Sequence, residues 1–288
     1  DGVHLGHRDV LQRLAIKARA LGLKSVLVTF DPHPLEVVNP AAAPPLLTVG
    51  DEKSEALATC DIDHVVVLPF TPELATYSAE RFVDEVLIER VRMRELLIGH
   101  DHGFGRDRGC NAEILRALAA GRGFGLDVIE PVGSDDRHPY SSTAIRRAVA
   151  GGDLRRAAQA LGRAYSISGV VERGSGRGRL LGYRTINLGL ISPRKLLPPG
   201  GVYAVRVQTD SGAFGGMMNL GPRPTFDDPA SQLEAHLFDA DVDLYGTHVR
   251  VEVLQRLRET RRFDLPASLA AQLARDEAEA RAALAGAT

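Results

Sequence analysis

Cysteine is nearly absent. Cys60 and Cys110 are the two in 288 residues, far apart, without CxxC spacing and without grouped histidines, which argues against a thiolate metal site and fits a reduced, cytoplasmic protein. Long apolar runs are missing as well. No stretch approaches the roughly 20 residues that cross a bilayer and no charged-then-apolar signal opens the chain, so a soluble, unexported protein without a membrane partner is expected. Neither sign of charge dominates. A formal net charge of -2 implies no basic face and no nucleic-acid partner, so any phosphate binding must be local. Lysine is confined to Lys17, Lys24, Lys53 and Lys195, which leaves arginine as nearly all the positive charge. An initiating methionine is also lacking: Asp1 stands almost inside a motif, so a fragment or displaced start without its upstream strand is expected.

What is present suits two domains, because 44 % apolar and 25 % charged residues over this length can bury a full core. Apolar residues at Val10, Leu11, Leu14, Ala18 and Leu21 recur at helical steps and Gly22 is placed to stop that helix. A β-rich run at 24–30 ends in DPHP, whose prolines continue neither element. Further strand-like runs at 64–68, 95–99 and 126–130 alternate with helical patterns at 78–90 and 111–120, which predicts an α/β, doubly wound parallel sheet. Helical patterns return after Ser141, pause at Gly151 and Gly152, and resume behind Asp153, an N-cap. The domain boundary is placed there, giving 1–158 and 159–288. Downstream, short strands at 166–172, 201–208, 215–220, 232–238 and 248–257 predict an antiparallel barrel or sandwich, closed by a helix from Pro266 that turns Leu269, Leu273 and Ala280 inward.

Two segments of the first half carry chemistry. HLGH (residues 4–7) sits where a loop enters the first helix, so unpaired amides and the positive end of the dipole face the same space as His4 and His7. Gly6 lets the backbone approach a phosphate, and the imidazoles can donate to oxygens gaining charge in a transition state. The plain alternative is a histidine that caps a helix. In SSTAIR (residues 141–146), Ser141, Ser142 and Thr143 open a helix with Arg146 one turn inside, which makes a second oxyanion site or an ordinary cap. Together they read as a nucleotidyltransferase pair.

The second half offers a glycine-rich loop containing Gly174, Gly178 and Gly182, followed by Thr185 and Asn187. On a strand, Thr185 and Asn187 share one face and could hold a magnesium ion that bridges phosphates. A glycine-rich hairpin is the alternative. Glu234, alternating with His236 in LEAHLFD, is a candidate base for an alcohol or else a solvated strand glutamate.

HLGH with SSTAIR resembles the HxGH nucleotidyltransferases. Taken together, DGVHLGHR (1–8), TFDPHP (29–34), IGHDHGFGRDRG (98–109) and SSTAIR resemble the FMN adenylyltransferase domain of bacterial bifunctional riboflavin kinase/FAD synthetases. The second half resembles the riboflavin kinase domain of that family at 169–182, GVYAV (201–205), NLGPRPTF (219–226), LEAHLFD (233–239), LYG (244–246) and 262–276. The resemblance implies an α/β nucleotidyltransferase domain, then a kinase β-barrel with a C-terminal helix. It implies ATP as co-substrate in both, Mg2+, and riboflavin and FMN as flavin substrates. It also implies that Gly99, Asp101, Phe104 and Gly105 line the nucleotide side, with Asp31 and His33 in the flavin-side loop. By the same carry-over Thr185 and Asn187 bind metal and ATP, and Glu234 is the base.

Two departures stand out: His102 and Gly103 replace the family's Phe and basic residue, and RTIN replaces PTAN, with Arg184 for Pro and Ile186 for Ala. Three readings follow: a bifunctional enzyme, an adenylyltransferase with a degenerate or retuned kinase half, and a flavin- or nucleotide-binding protein without turnover.

Overall fold

His4 is extended (φ -77°, ψ 173°) and its ring accepts a hydrogen bond from the His7 amide, so helix α1 (Leu5–Ala20) begins there; Gly22 at φ +67° turns the chain after it. The computed structural model describes residues 1–99, 112–129, 140–173, 183–189, 191–221 and 232–286. By packing, the chain divides into one unit of Val3–Pro45 and Lys53–Ser141 and another of Asp1–Gly2, Leu46–Glu52 and Ser142–Thr288. Residues 142–158, assigned to the first domain from the sequence, therefore pack with the second unit.

In the first unit β1 (Val26–Asp31) pairs in parallel with β2 (His64–Pro69), and β3 (Glu95–Gly99) with β4 (Gly125–Ile129). Parallel neighbours require long crossovers. These are supplied by α2 (Pro34–Val38) and α3 (Asp51–Ala58) between β1 and β2, and by α6 (Ala112–Arg122) between β3 and β4. Connecting the pairs are α4 (Pro72–Ala75), α5 (Ala79–Arg81) and a π-helical stretch, Phe82–Arg90, where the sequence predicts an ordinary helix. One core joins both pairs: Val83, Val86, Leu87 and Leu115 pack with Ile98, and Val28, Phe30, Leu68 and Val128 close around them.

The second unit is built on a closed barrel rather than a sandwich. Strands β5 (Tyr165–Glu172), β6 (Thr185–Leu188), β7 (Gly201–Thr209), β8 (Gly212–Gly221), β9 (Gln232–Leu237) and β10 (His248–Arg258) run β10–β5–β6–β9–β8–β7, antiparallel throughout. Alternation fills its interior: Leu233, Ala235, Val205, Val207, Met218 and Val251 are buried there. Helices α7 (Ser142–Ala150) and α8 (Leu154–Leu161) extend the same core through Ile145, Val149, Ala157 and Leu161. Helix α9 (Pro266–Ala285) covers the outside, where Leu273, Ala280 and Leu284 meet Ala204, Met217 and Phe238. Its buried stripe also carries Gln272 and Asp276, which the apolar periodicity does not reveal; Asp276 takes the Arg258 guanidinium at 2.7–3.1 Å.

Residues 46–52 are stitched to the barrel within this unit. Leu46 bridges Lys195, and the Lys195 ammonium lies 2.6 Å from the Glu52 carboxylate, 2.8 Å from the Leu47 carbonyl and 4.6 Å from the Tyr165 ring centre. Glu52 also accepts from the Ser168 and Val49 amides at 2.8 and 3.0 Å. Lys195 and Glu52 are 5 % and 7 % exposed; burial pulls the lysine pKa down and Glu52 opposes it. Removing one member of such a pair leaves an uncompensated buried charge, so Lys195→Met is expected to destabilise the protein by about 3–5 kcal/mol. Urea unfolding followed by far-ultraviolet circular dichroism checks this, and a midpoint equal to the parent's contradicts it.

Candidate active sites

In the first unit the HLGH turn is aimed by strained backbone. Val3, immediately ahead of His4, has φ +42°, a conformation that costs a β-branched residue about 1–3 kcal/mol. Burial among Leu11, Ala56 and Leu57 holds it there. The His4 and His7 rings stack at 3.7 Å, with His4 buried and His7 exposed. Because His4 Nδ1 accepts from the His7 amide, a neutral His4 carries its proton on Nε2 and is a donor on that side. Gly6 is tightly surrounded. A Cβ there would stand 3.2 Å from the His4 ring and 3.6 Å from the Tyr140 carbonyl, so the residue preceding Ser141 lies against the HLGH turn.

Asp31 ends β1 and is exposed, and the His33 ring accepts from the Leu35 amide at 3.2 Å to cap α2. Lys53 donates to the Phe30 carbonyl at 2.9 Å beside Asp31; burial lowers its pKa and the Asp31 charge opposes that. Lys53 was given no role from the sequence. Gly99 ends β3 opposite Ile129. Asp101, Phe104 and Gly105, with His102 and Gly103, lie outside the described residues.

In the second unit Ser142 opens α7 and donates to the Asp1 carbonyl at 3.1 Å, while Thr143 is exposed in the same turn. Arg146 meets the Asp1 carboxylate at 2.7 Å. That carboxylate also accepts from the Leu47 and Thr48 amides at 3.0 and 3.1 Å. Burial lowers the Arg146 pKa, and Asp1, given no role from the sequence, orients its guanidinium.

Cross-strand register assembles the second constellation. Glu172 stands opposite Asn187, Asn187 opposite Glu234, and Glu234 opposite Asn219; Thr185, His236 and Met217 form the adjacent row. Directly opposed residues share a face. Leu233, Ala235 and Leu237 point into the barrel, so both rows lie on its outer surface. Glu172 and Asn219 escaped sequence reading because the pairing is nonlocal. The Asn187 Oδ1 atom is buried and has no hydrogen-bond partner among the described residues, an arrangement that costs about 1–3 kcal/mol in a folded protein. A hard, buried oxygen on the strand face shared with Thr185 fits a magnesium ligand set.

The two RTIN departures are absorbed locally. Arg184 reaches the exposed Asp241 carboxylate at 2.7 Å, and Ile186 packs against the barrel core. Gly174, Gly178 and Gly182 lie outside the described residues.

Family models place these geometries. Residues 1–144 match the FAD synthetase family and residues 161–284 the riboflavin kinase family. The chain is 37 % identical over 283 residues to a bifunctional riboflavin kinase/FMN adenylyltransferase of Escherichia coli K12, covering 98 % of this chain and 89 % of that protein. Identity to the enzyme of the same description from Listeria monocytogenes is 33 % over 285 residues, covering 98 % and 89 %. A crystal structure described as a macrolide-efflux protein from Streptococcus pneumoniae superposes with a TM-score of 0.86 at 30 % identity, covering 98 % of this chain and 91 % of that one. Among the described residues no helix is long and apolar enough to cross a membrane. With both family models matched and its relatives similar over nearly their whole length, the chain belongs to the bifunctional riboflavin kinase/FMN adenylyltransferase family.

Proposed function

We propose that the chain phosphorylates riboflavin to FMN and then adenylylates FMN to FAD, with ATP as co-substrate and Mg2+ in both steps. The functional division follows the sequence boundary: residues 1–158 carry adenylylation and residues 159–288 carry phosphorylation, in a cytoplasmic enzyme acting on small molecules. The observation that carries the kinase reading is the outward row in which Asn187 stands opposite Glu234.

On the barrel, Glu234 accepts the proton of the terminal ribityl hydroxyl as that oxygen bonds to the γ-phosphorus and ADP leaves. Magnesium, when bound, neutralises charge on the phosphate oxygens. Thr185 and Asn187 would hold it, and Gly174, Gly178 and Gly182 would take the nucleotide phosphates. The match of residues 161–284 to the riboflavin kinase family supports an active kinase over a degenerate one, and Arg184 lies at the exposed Asp241 carboxylate.

In adenylyl transfer no protein nucleophile is needed, because the FMN phosphate is already anionic. It attacks the α-phosphorus of ATP and pyrophosphate departs. His4, His7 and the α1 amides stabilise the developing charge, and Gly6 allows the approach. Ser141, Ser142, Thr143 and Arg146 grip the triphosphate. Gly99, Asp101, Phe104 and Gly105 take the nucleotide, and Asp31 with His33 takes the flavin.

Chromatography of flavins after incubation with Mg2+, ATP and riboflavin or FMN tests the assignment; absence of either product overturns the corresponding half. His7→Ala is expected to remove most FAD formation and spare phosphorylation. Glu234→Gln reverses this, slowing phosphorylation by roughly 10²–10⁴-fold, the usual contribution of a general base. Equal impairment of both steps by either change, in folded protein, contradicts two separate sites. Asn187→Leu deletes an orphaned buried oxygen, so it is expected to abolish phosphorylation without lowering the melting temperature; a large thermal destabilisation contradicts that assignment.

A further inference from the structure

The mechanism leaves His236 unused, yet its ring is held by a hydrogen bond and two aromatic contacts. Its Nδ1 lies 2.7 Å from the Arg184 carbonyl. A carbonyl oxygen only accepts, so Nδ1 carries the proton and donates. The ring meets Tyr183 edge-on at 4.9 Å and Phe238 at 5.8 Å. Both aromatics belong to the cluster under α9, and Arg281 of α9 lies 4.4 Å over the Phe238 ring while pairing with Asp239 at 2.7 Å. Burial raises the pKa of Tyr183, and Glu277, also on α9, adds to it as a carboxylate beside a phenol does. A chain of contacts thus runs from the C-terminal helix through His236 to the peptide bond that joins Arg184 to Thr185.

We infer that His236 is a positioning residue for riboflavin phosphorylation: held by α9, it clamps the Arg184 carbonyl and thereby sets the Thr185 and Asn187 oxygens that receive Mg·ATP. The clamp matters here because Arg184 leaves φ free where a proline would fix it. The Arg184–Asp241 pair is a weak substitute. Its side chains are 64 % and 93 % exposed, and exposed pairs add little. This inference rests on the kinase assignment above, so the unaltered chain serves as the control.

The test compares His236→Leu, which removes the donor, with His236→Asn, whose amide can occupy the Nδ1 position, each in the full chain. His236→Leu is expected to raise the KM for Mg·ATP in riboflavin phosphorylation roughly three- to tenfold, the loss of one hydrogen bond, with a smaller change in kcat. His236→Asn restores the parent KM, and adding Arg184→Pro to His236→Leu lowers KM again by fixing the backbone directly. FMN adenylylation by the same samples stays at the parent rate, and an unchanged melting temperature of the full chain certifies folding. A parent-like KM in His236→Leu overturns the inference, as do equal defects in Leu and Asn, or a Leu defect that Arg184→Pro leaves untouched. No FMN from the unaltered chain overturns the kinase assignment itself, and the inference with it.

Discussion

The register of β6 against β9 is the constraint on which the kinase half depends. Thr185 opposite His236 and Asn187 opposite Glu234 place two side-chain oxygens and a carboxylate on one outward wall, with Leu188 and Leu233 facing the core beside them. A slip of one residue would send the polar set inward and the leucines out, which the apolar interior forbids. Hydrophobic burial, summed over the barrel, therefore enforces the polar geometry that chemistry requires. It also sustains Asn187 Oδ1 without a hydrogen-bond partner among the described residues, a cost that a bound metal would recover.

The first half works differently, because its candidate groups sit at the end of a helix. The α1 terminus needs its amides unpaired to meet an anion. His4 caps the His7 amide, while Val3 at φ +42° bends the chain into that helix and is held by burial. The serine-rich opening of α7 is buttressed by Asp1, which both accepts from Ser142 and orients Arg146. Each half thus holds these side chains in place through contacts within the protein.

Much of this was legible along the chain where the determining physics is local. The HLGH cap, the Gly22 stop, the alternation of Leu233, Glu234, Ala235 and His236, and the Asp153 cap are all properties of a few neighbouring residues. Long-range partners were not legible. Nothing near Asn187 in sequence announces Glu172 or Asn219, and nothing near Lys195 announces Glu52, because closure of the barrel and docking of residues 46–52 bring them together. Periodicity likewise marked 142–150 and 154–161 as helices without saying which core they join; Ile145, Val149 and Leu161 join the barrel's. The polar stripe of α9 was hidden for the same reason: Asp276 is buried only because Arg258 comes from a distant strand.

The most direct measurement on the central claim is the position of the metal in the kinase half. Crystals of the chain grown with ADP and manganese, with data collected at the manganese edge, locate the ion independently of the flavin chemistry. The expected result is an anomalous peak within bonding distance of Asn187 Oδ1 and the Thr185 hydroxyl, on the outer barrel face shared with Glu234. A nucleotide bound with its metal elsewhere, and Asn187 Oδ1 satisfied by protein or water, would contradict the account.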